Sequence, residues 1–218
     1  KMSIDEICYE FGVRNYTIND DGSIDVKGDV HIPTSGLTEI PITFNKVTGN
    51  FYCQNSDLTT LKGSPRLVEG SFYCQKNKLT SLLGGPKSVG SLFNCGFNDL
   101  TDLKGSPEHI GSDFYCNVNS ITSLKGSPKF IGGDFRCDKN NIFSLEGLDA
   151  DGLSGNIYLN KNPIGSLFYV IDSDIVRAFN SFKVIKGNEI NLKRLRYVME
   201  IYDQPIYIAD IKKYYTIK

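Results

Sequence analysis

Apolar and polar positions recur along this chain with one long, fixed period. Phe51-Tyr52-Cys53 returns as Phe72-Tyr73-Cys74, Phe93-Asn94-Cys95, Phe114-Tyr115-Cys116 and Phe135-Arg136-Cys137, with 21 residues between copies. In each copy two apolar residues flank a polar or aromatic one, which predicts a short strand with two inward positions. Further apolar columns keep the period: Leu58, Leu79, Leu100, Ile121 and Ile142; Leu61, Leu82, Leu103, Leu124 and Leu145; Val47, Val68, Val89, Ile110 and Ile131. A turn rich in Gly, Ser and Pro ends at Pro65, Pro86, Pro107 and Pro128, with too many helix breakers for a helix on that side. Three residues past the Cys column stand Ser35, Ser56, Asn77, Asn98, Asn119, Asn140 and Asn162. A buried amide there can satisfy peptide groups where the chain leaves its strand. The register extends back to Val30-His31-Ile32 and, after a one-residue insertion, forward to Ile157-Tyr158-Leu159, giving seven turns over residues 29–168. A single repeat cannot bury its own apolar edge, whereas a stack can.

The flanks lack the period. In residues 1–28, Ser3 with Glu6 forms a capping box for a helix bearing Ile4, Ile7, Cys8 and Phe11 and ending at Gly12. Tyr16, Ile18, Ile24 and Val26 flank Asn19-Asp20-Asp21-Gly22, which predicts a hairpin. That acidic turn looks like a fragment of a calcium loop, but Thr17 and Gly28 stand where the first and last carboxylates belong. A helix and hairpin ahead of an array predict a terminal cap. In residues 169–218, Ser173-Asp174 starts a helix with Ile175, Val176, Phe179 and Phe182, broken by Gly187. Asn191 caps a second helix with Leu192, Leu195, Val198, Met199 and Tyr202, and a third short helix surrounds Ile208, Ile211 and Tyr215. Lys193, Arg194, Arg196, Lys212 and Lys213 read as a solvated face of this helical cap, the alternative being a basic docking patch for an acidic partner or nucleic acid.

Composition narrows the function classes. The net charge of −1 gives no bulk electrostatic reason to bind nucleic acid or an anionic membrane. No apolar run approaches the ~20 residues of a membrane span. Five of the six cysteines share one column, where they serve as small buried apolar side chains about 4.8 Å apart. Bridging and metal binding are the alternatives, though no CxxC or Cys/His pairing is present. Many free thiols predict a reducing, cytoplasmic setting.

The pattern VxxxFxCxxNxLxxL resembles the leucine-rich repeat, LxxLxLxxNxL, over residues 29–168. It departs from it in Phe and Cys at the strand core positions and in the Gly-Ser-Pro turn replacing a helical convex segment. The string INDDGSIDV followed by repeats of FYCxxNxLTSLKGSP is similar to leucine-rich-repeat-like proteins encoded by large tailed bacteriophages and giant viruses. The resemblance implies an α/β repeat solenoid, a right-handed coil with short parallel strands on a concave face and a cap at each end. It also implies a phage product acting in the host cytoplasm.

Residues between the two inward strand positions point the other way and line the expected concave face: His31, Tyr52, Tyr73, Asn94, Tyr115, Arg136 and Tyr158. Asp134 precedes one strand, and Phe97 with Leu92 puts apolar side chains at positions expected to be exposed. Tyrosines give large contact area at low entropic cost, yet they also stack well along a strand ladder, so a binding face and a merely structural ladder both remain open. His31 and His109 fall in different columns, and no nucleophile, phosphate-loop or zinc motif is present. Asp113, Asp134 and Asp138 could form an acid pair but read more simply as solvated or partner-facing carboxylates. The chain therefore reads as a non-enzymatic binding scaffold without cofactor or metal. The expected partner is a host protein, and the alternative is a small molecule or glycan stacked on Tyr52, Tyr73 and Tyr115.

Overall fold

The structure, a computed structural model, describes residues 1–34 and 36–218. Residue 35, the head of the predicted polar column, lies outside the described residues. The repeats coil into a parallel β-solenoid of about six turns. Two columns of strands wrap it, one more than the repeat pattern predicts. One is an eight-stranded sheet running from Val30–His31 through Phe51–Tyr52, Phe72–Tyr73, Phe93–Asn94, Phe114–Tyr115 and Phe135–Arg136 to Ile157–Tyr158, with Val170–Ile171 antiparallel at its end. The other is a seven-stranded sheet built from Phe44–Val47, Leu67–Val68, Ser88–Val89, His109–Ile110 and Phe130–Ile131, with the N-terminal hairpin at its edge. The Val/Ile column expected only to close the core is therefore itself a parallel sheet. Its two-residue strands are too short to show the alternation by which a strand is recognised in sequence.

Between the sheets lies an apolar core. Phe51, Phe72, Phe93, Phe114 and Phe135 are fully buried, as are the five cysteines of the repeat and the Val/Ile column. Phe51 stacks on Phe72 at 5.1 Å and Phe114 on Phe135 at 4.9 Å between ring centroids. Burying one such ring contributes about 2–3 kcal/mol. All six cysteines are free and buried. Burial holds the Cys53, Cys74, Cys95 and Cys116 thiols above their ordinary range because a thiolate there would lose its hydration.

The asparagine column does what its spacing predicts. Asn98 Oδ1 accepts the Leu79 N–H at 3.0 Å, and Asn98 Nδ2 donates to Cys74 O and Cys95 O, both at 3.1 Å. Asn77, Asn119, Asn140 and Asn162 repeat this pattern in their own turns. Each amide clamps two turns together where the chain leaves the eight-stranded sheet. On the Gly-Ser-Pro side Gly105 has φ +87°, and a Cβ there would lie 2.4 Å from Leu83 N. The close approach of successive turns thus requires glycine.

Helix α1, Ile4–Glu10, begins at Ser3, whose Oγ accepts the Glu6 N–H at 3.1 Å. The hairpin pairs Tyr16–Ile18 with Ile24–Val26, and its second strand runs parallel to Phe44–Val47. At the other end α2, Ser173–Phe182, is capped by Asp172, one residue earlier than predicted, whose Oδ1 accepts from Asp174 and Ile175 N–H. The helix ends at Lys183, in the left-handed conformation, and not at Gly187. Gly187 instead lies in the turn between Ile185–Lys186 and Glu189–Ile190. Asn191 caps α3, Leu192–Ile201, as its sequence predicts. A short α4, Ile208–Ile211, leads to Thr216–Ile217, which pairs with Glu189–Ile190. Tyr215 anchors this part to the solenoid: its ring is buried and its hydroxyl donates to Phe143 O at 2.6 Å. Among the described residues no helix is long and apolar enough to cross a membrane.

Candidate functional site

The outward column of the eight-stranded sheet is continuous. Strand register sets His31 beside Tyr52, Tyr52 beside Tyr73, Tyr73 beside Asn94, Asn94 beside Tyr115, Tyr115 beside Arg136 and Arg136 beside Tyr158. Parallel in-register strands force equivalent side chains to stack at the strand spacing. His31 and Tyr52 stack with 4.5 Å between centroids, and Tyr52 and Tyr73 with 5.0 Å and rings 1° from parallel. The Arg136 guanidinium continues the stack, 4.1 Å from the Tyr158 ring centroid and 5.9 Å from that of Tyr115. His31 is exposed and the other members are half-buried. Tyr52 is covered on both ring faces, by His31 and by Tyr73, which leaves its edge and hydroxyl to solvent.

Asn94 interrupts this order. Its Oδ1 accepts the Gly96 N–H at 3.0 Å, which draws the carboxamide back along its own strand. Beside it opens a cavity of about 300 Å³ lined by Gln75, Lys76, Asn94, Phe97, Tyr115, Asn117 and Arg136. Four predicted site residues, Asn94, Phe97, Tyr115 and Arg136, thus share one depression. His31, Tyr52, Tyr73 and Tyr158 lie on the same column outside it. The Tyr115 hydroxyl donates to Asp113 Oδ2 at 3.3 Å. Burial, with the Asp113 carboxylate beside it, pushes the Tyr115 phenol above its usual value.

Phe97 is 47% exposed, as its position predicts, whereas Leu92, expected to be exposed with it, is half-buried. Leu92 stands in a column in which Asp29, Asn50, Ser71, Asp113 and Asp134 accept backbone N–H groups of the next turn. Asn50 N–H donates to Asp29, Ser71 N–H to Asn50 Oδ1, Leu92 N–H to Ser71 Oγ, Asp134 N–H to Asp113 Oδ1 and Asn156 N–H to Asp134 Oδ1, at 2.7–3.0 Å. Asp134 is thereby tied to the following turn, and Asp113 in the same way. Leu92 has no acceptor to offer, so the clamp lapses in the same turn that carries Asn94, Gly96 and Phe97.

Sequence reasoning missed the corner after the strand. Asn55, Lys76, Phe97, Val118, Lys139 and Lys161 all adopt φ of 55–58°. This is costly for Val and Phe, and nothing in their residue types announces it, because the column contains no glycine. It throws Phe97 outward, where the Lys76 ammonium lies 5.8 Å from its ring centroid. Gln54 and Gln75, two residues after Tyr52 and Tyr73 on adjacent turns, each hold a buried Oε1 without a hydrogen-bond partner.

His31 and His109 lie on different sheets, with His109 stacked on Phe130 at 4.8 Å. Among the described residues no group of three or more His, Cys, Asp or Glu side chains is arranged to hold a metal ion. The acidic turn of the hairpin is closed internally, Asp21 Oδ1 accepting from both Ser23 N–H and Ser23 Oγ. Arg194 reaches the Lys183 carbonyl and Lys213 pairs with Asp210, so part of the basic helical face is engaged locally. A larger depression of about 820 Å³ lies between the last turn and the C-terminal helices, with exposed Tyr169, Tyr207 and Tyr214 on its rim. No family model matches the chain, and no curated protein or solved structure matches it either.

Proposed function

We propose that the chain is a non-catalytic scaffold that binds a protein partner through the outward column of the eight-stranded sheet. The observation that carries this reading is the column of accessible planar groups from His31 to Tyr158, interrupted at Asn94 and ordered by strand register before any partner arrives. Preordered aromatic edges and hydroxyls offer contact area without the entropic cost of fixing side chains on binding. A glycan or other small molecule stacked flat on Tyr52 is less well supported, because both faces of that ring are already in use.

The finer reading is a leucine-rich-repeat-like coil of seven turns, capped at both ends, whose partner is a host protein, of the defence machinery, bound in the host cytoplasm by a phage product. Its support is the resemblance of the repeat, together with the six free thiols, which suit a reducing compartment. The test is capture from bacterial lysate with the folded protein and with Tyr52→Ala/Tyr158→Ala as the comparison. A partner retained by the parent and lost by the double variant, with an unchanged melting temperature, is the expected result. Equal capture by both, or none by either, overturns the reading.

A further inference from the structure

The outward column and the C-terminal part use tyrosine differently. In the column, Tyr52 is covered on both ring faces. In the C-terminal part the aromatic pairs are Phe143–Tyr215, Phe168–Phe179 and Phe182–Tyr197. Tyr169, Tyr207 and Tyr214 belong to none of these pairs, and among the described residues they have no ring partner. They are 64%, 59% and 48% exposed, and all three line the depression of about 820 Å³ between the last turn and the C-terminal helices. Their backbones are fixed. Tyr169 O accepts the Leu159 N–H at 2.7 Å, Tyr207 O accepts the Asp210 and Ile211 N–H groups at 3.1 Å, and Tyr214 N–H donates to Ile211 O at 3.0 Å. Beside them Lys213 Nζ donates to Asp210 Oδ1 at 3.2 Å, and Gln204 Nε2 donates to Tyr202 O at 3.2 Å, which leaves the Gln204 Oε1 as an acceptor.

We infer that this recess binds an oligosaccharide, with a pyranose ring laid on a tyrosine face and its hydroxyls held by Asp210, Lys213 and Gln204. A pyranose carries C–H groups on its faces and hydroxyls around its rim. The C–H face suits the negative face of a phenol ring. The rim needs donors and acceptors side by side, and the ion pair supplies both: Asp210 keeps a second oxygen and Lys213 two further protons. The volume falls within the range of small-ligand sites. Charge argues against a polyanion. The charged groups lining the recess are Lys161, Lys213 and Asp210, so a single cation is left unbalanced, too few for a nucleic-acid strand. The inference goes beyond the protein-binding reading and does not depend on it.

Saturation-transfer difference NMR on the full chain with cellotriose, maltotriose, mannotriose and chitotriose tests it. At least one trisaccharide should give a saturable signal, strongest at the ring C–H protons. For the one that binds, Tyr207→Ala or Tyr214→Ala should weaken affinity by about tenfold. Asp210→Asn should weaken it severalfold. The melting temperature should not change, because these side chains are exposed. Tyr9→Ala, which removes an exposed tyrosine from the N-terminal helix, should leave binding as it is. A saturable signal from none of the four sugars, full affinity in both Tyr207→Ala and Tyr214→Ala, or an equal loss in Tyr9→Ala would each overturn the inference. Tighter binding of adenosine monophosphate at the same tyrosines would do so too. The sugar titration contains no protein partner and the capture experiment no sugar, so either can fail while the other succeeds.

Discussion

Inside the solenoid, the Phe and Cys columns of the eight-stranded sheet and the Val/Ile column of the seven-stranded sheet share one task, filling an apolar core. Outside, the two sheets differ, although the seven-stranded one also stacks one ring pair, His109 on Phe130. The eight-stranded sheet presents planar groups in register, backed by amide and carboxylate clamps that join turn to turn. The seven-stranded sheet presents Asp25, Lys46, Leu67, Ser88, His109 and Phe130 in succession, with exposed cross-turn pairs such as Lys46–Glu69 at 3.3 Å and Lys129–Glu108 at 3.9 Å. Exposed pairs of this kind contribute about 0–1 kcal/mol each. The comparison separates what the fold requires from what it leaves free. A parallel coil needs inward packing and inter-turn backbone bonds on both sides, but it does not need a planar stack on either.

The largest effect should come from the clamp. Asn98→Leu leaves the Leu79 N–H and the carbonyls of Cys74 and Cys95 without this partner in a buried site. The unfolding free energy should fall by about 3 kcal/mol or more. On the opposite sheet Val89→Ala, which removes only two buried methyl groups, should cost about 2 kcal/mol. Chemical denaturation midpoints of the two variants check the order. A smaller loss for Asn98→Leu would mean that water replaces the amide and that the two sides are held alike.

The same contrast explains what was legible in the sequence. Columns with a chemical signature could be read: Phe and Cys as core, Asn as buried amide, Gly-Ser-Pro as turn. The second sheet was hidden because a two-residue strand such as Leu67–Val68 offers one inward side chain and no alternation. The aromatic column could be read from its spacing, but not the bend of Asn94 toward Gly96, because a side-chain hydrogen bond within one strand leaves no periodic trace. The left-handed corner was hidden because Phe97 and Val118 violate the local preference that would have revealed it, and such violations gather where other demands override propensity.

Val118 sharpens that last point. At φ 56° a β-branched residue is strained, and Asn tolerates this conformation better. Val118→Asn should therefore raise stability by about 0.5–1 kcal/mol, seen as a higher melting temperature. Asn55 already occupies the equivalent corner two strands before Phe97. If Val118→Asn is destabilising, contacts of the Val118 side chain outweigh the backbone strain, and the corner is shaped by packing as well as by the coil.

The smallest effect concerns acid and belongs to the seven-stranded sheet. Asp25 accepts from Asn45 Nδ2 at 2.8 Å and from Asn19 Nδ2 at 3.2 Å. The Asn45 bond, more than the others, holds its carboxyl below the ordinary carboxylate range. A folded-state value lower than the unfolded value near 3.9 means that the stabilisation is complete above about pH 4. It is lost as pH falls through the lowered value, because the protonated carboxyl gains less from those donors. Asn45→Ala removes the leading donor. Its stability deficit relative to the parent should thus be constant between pH 7 and pH 5 and should shrink below about pH 4. Denaturation midpoints measured at several pH values decide it: a deficit that does not change with pH would assign Asn45 a purely packing role. The charged exterior of this sheet would then contribute even less to the fold than its exposed ion pairs suggest.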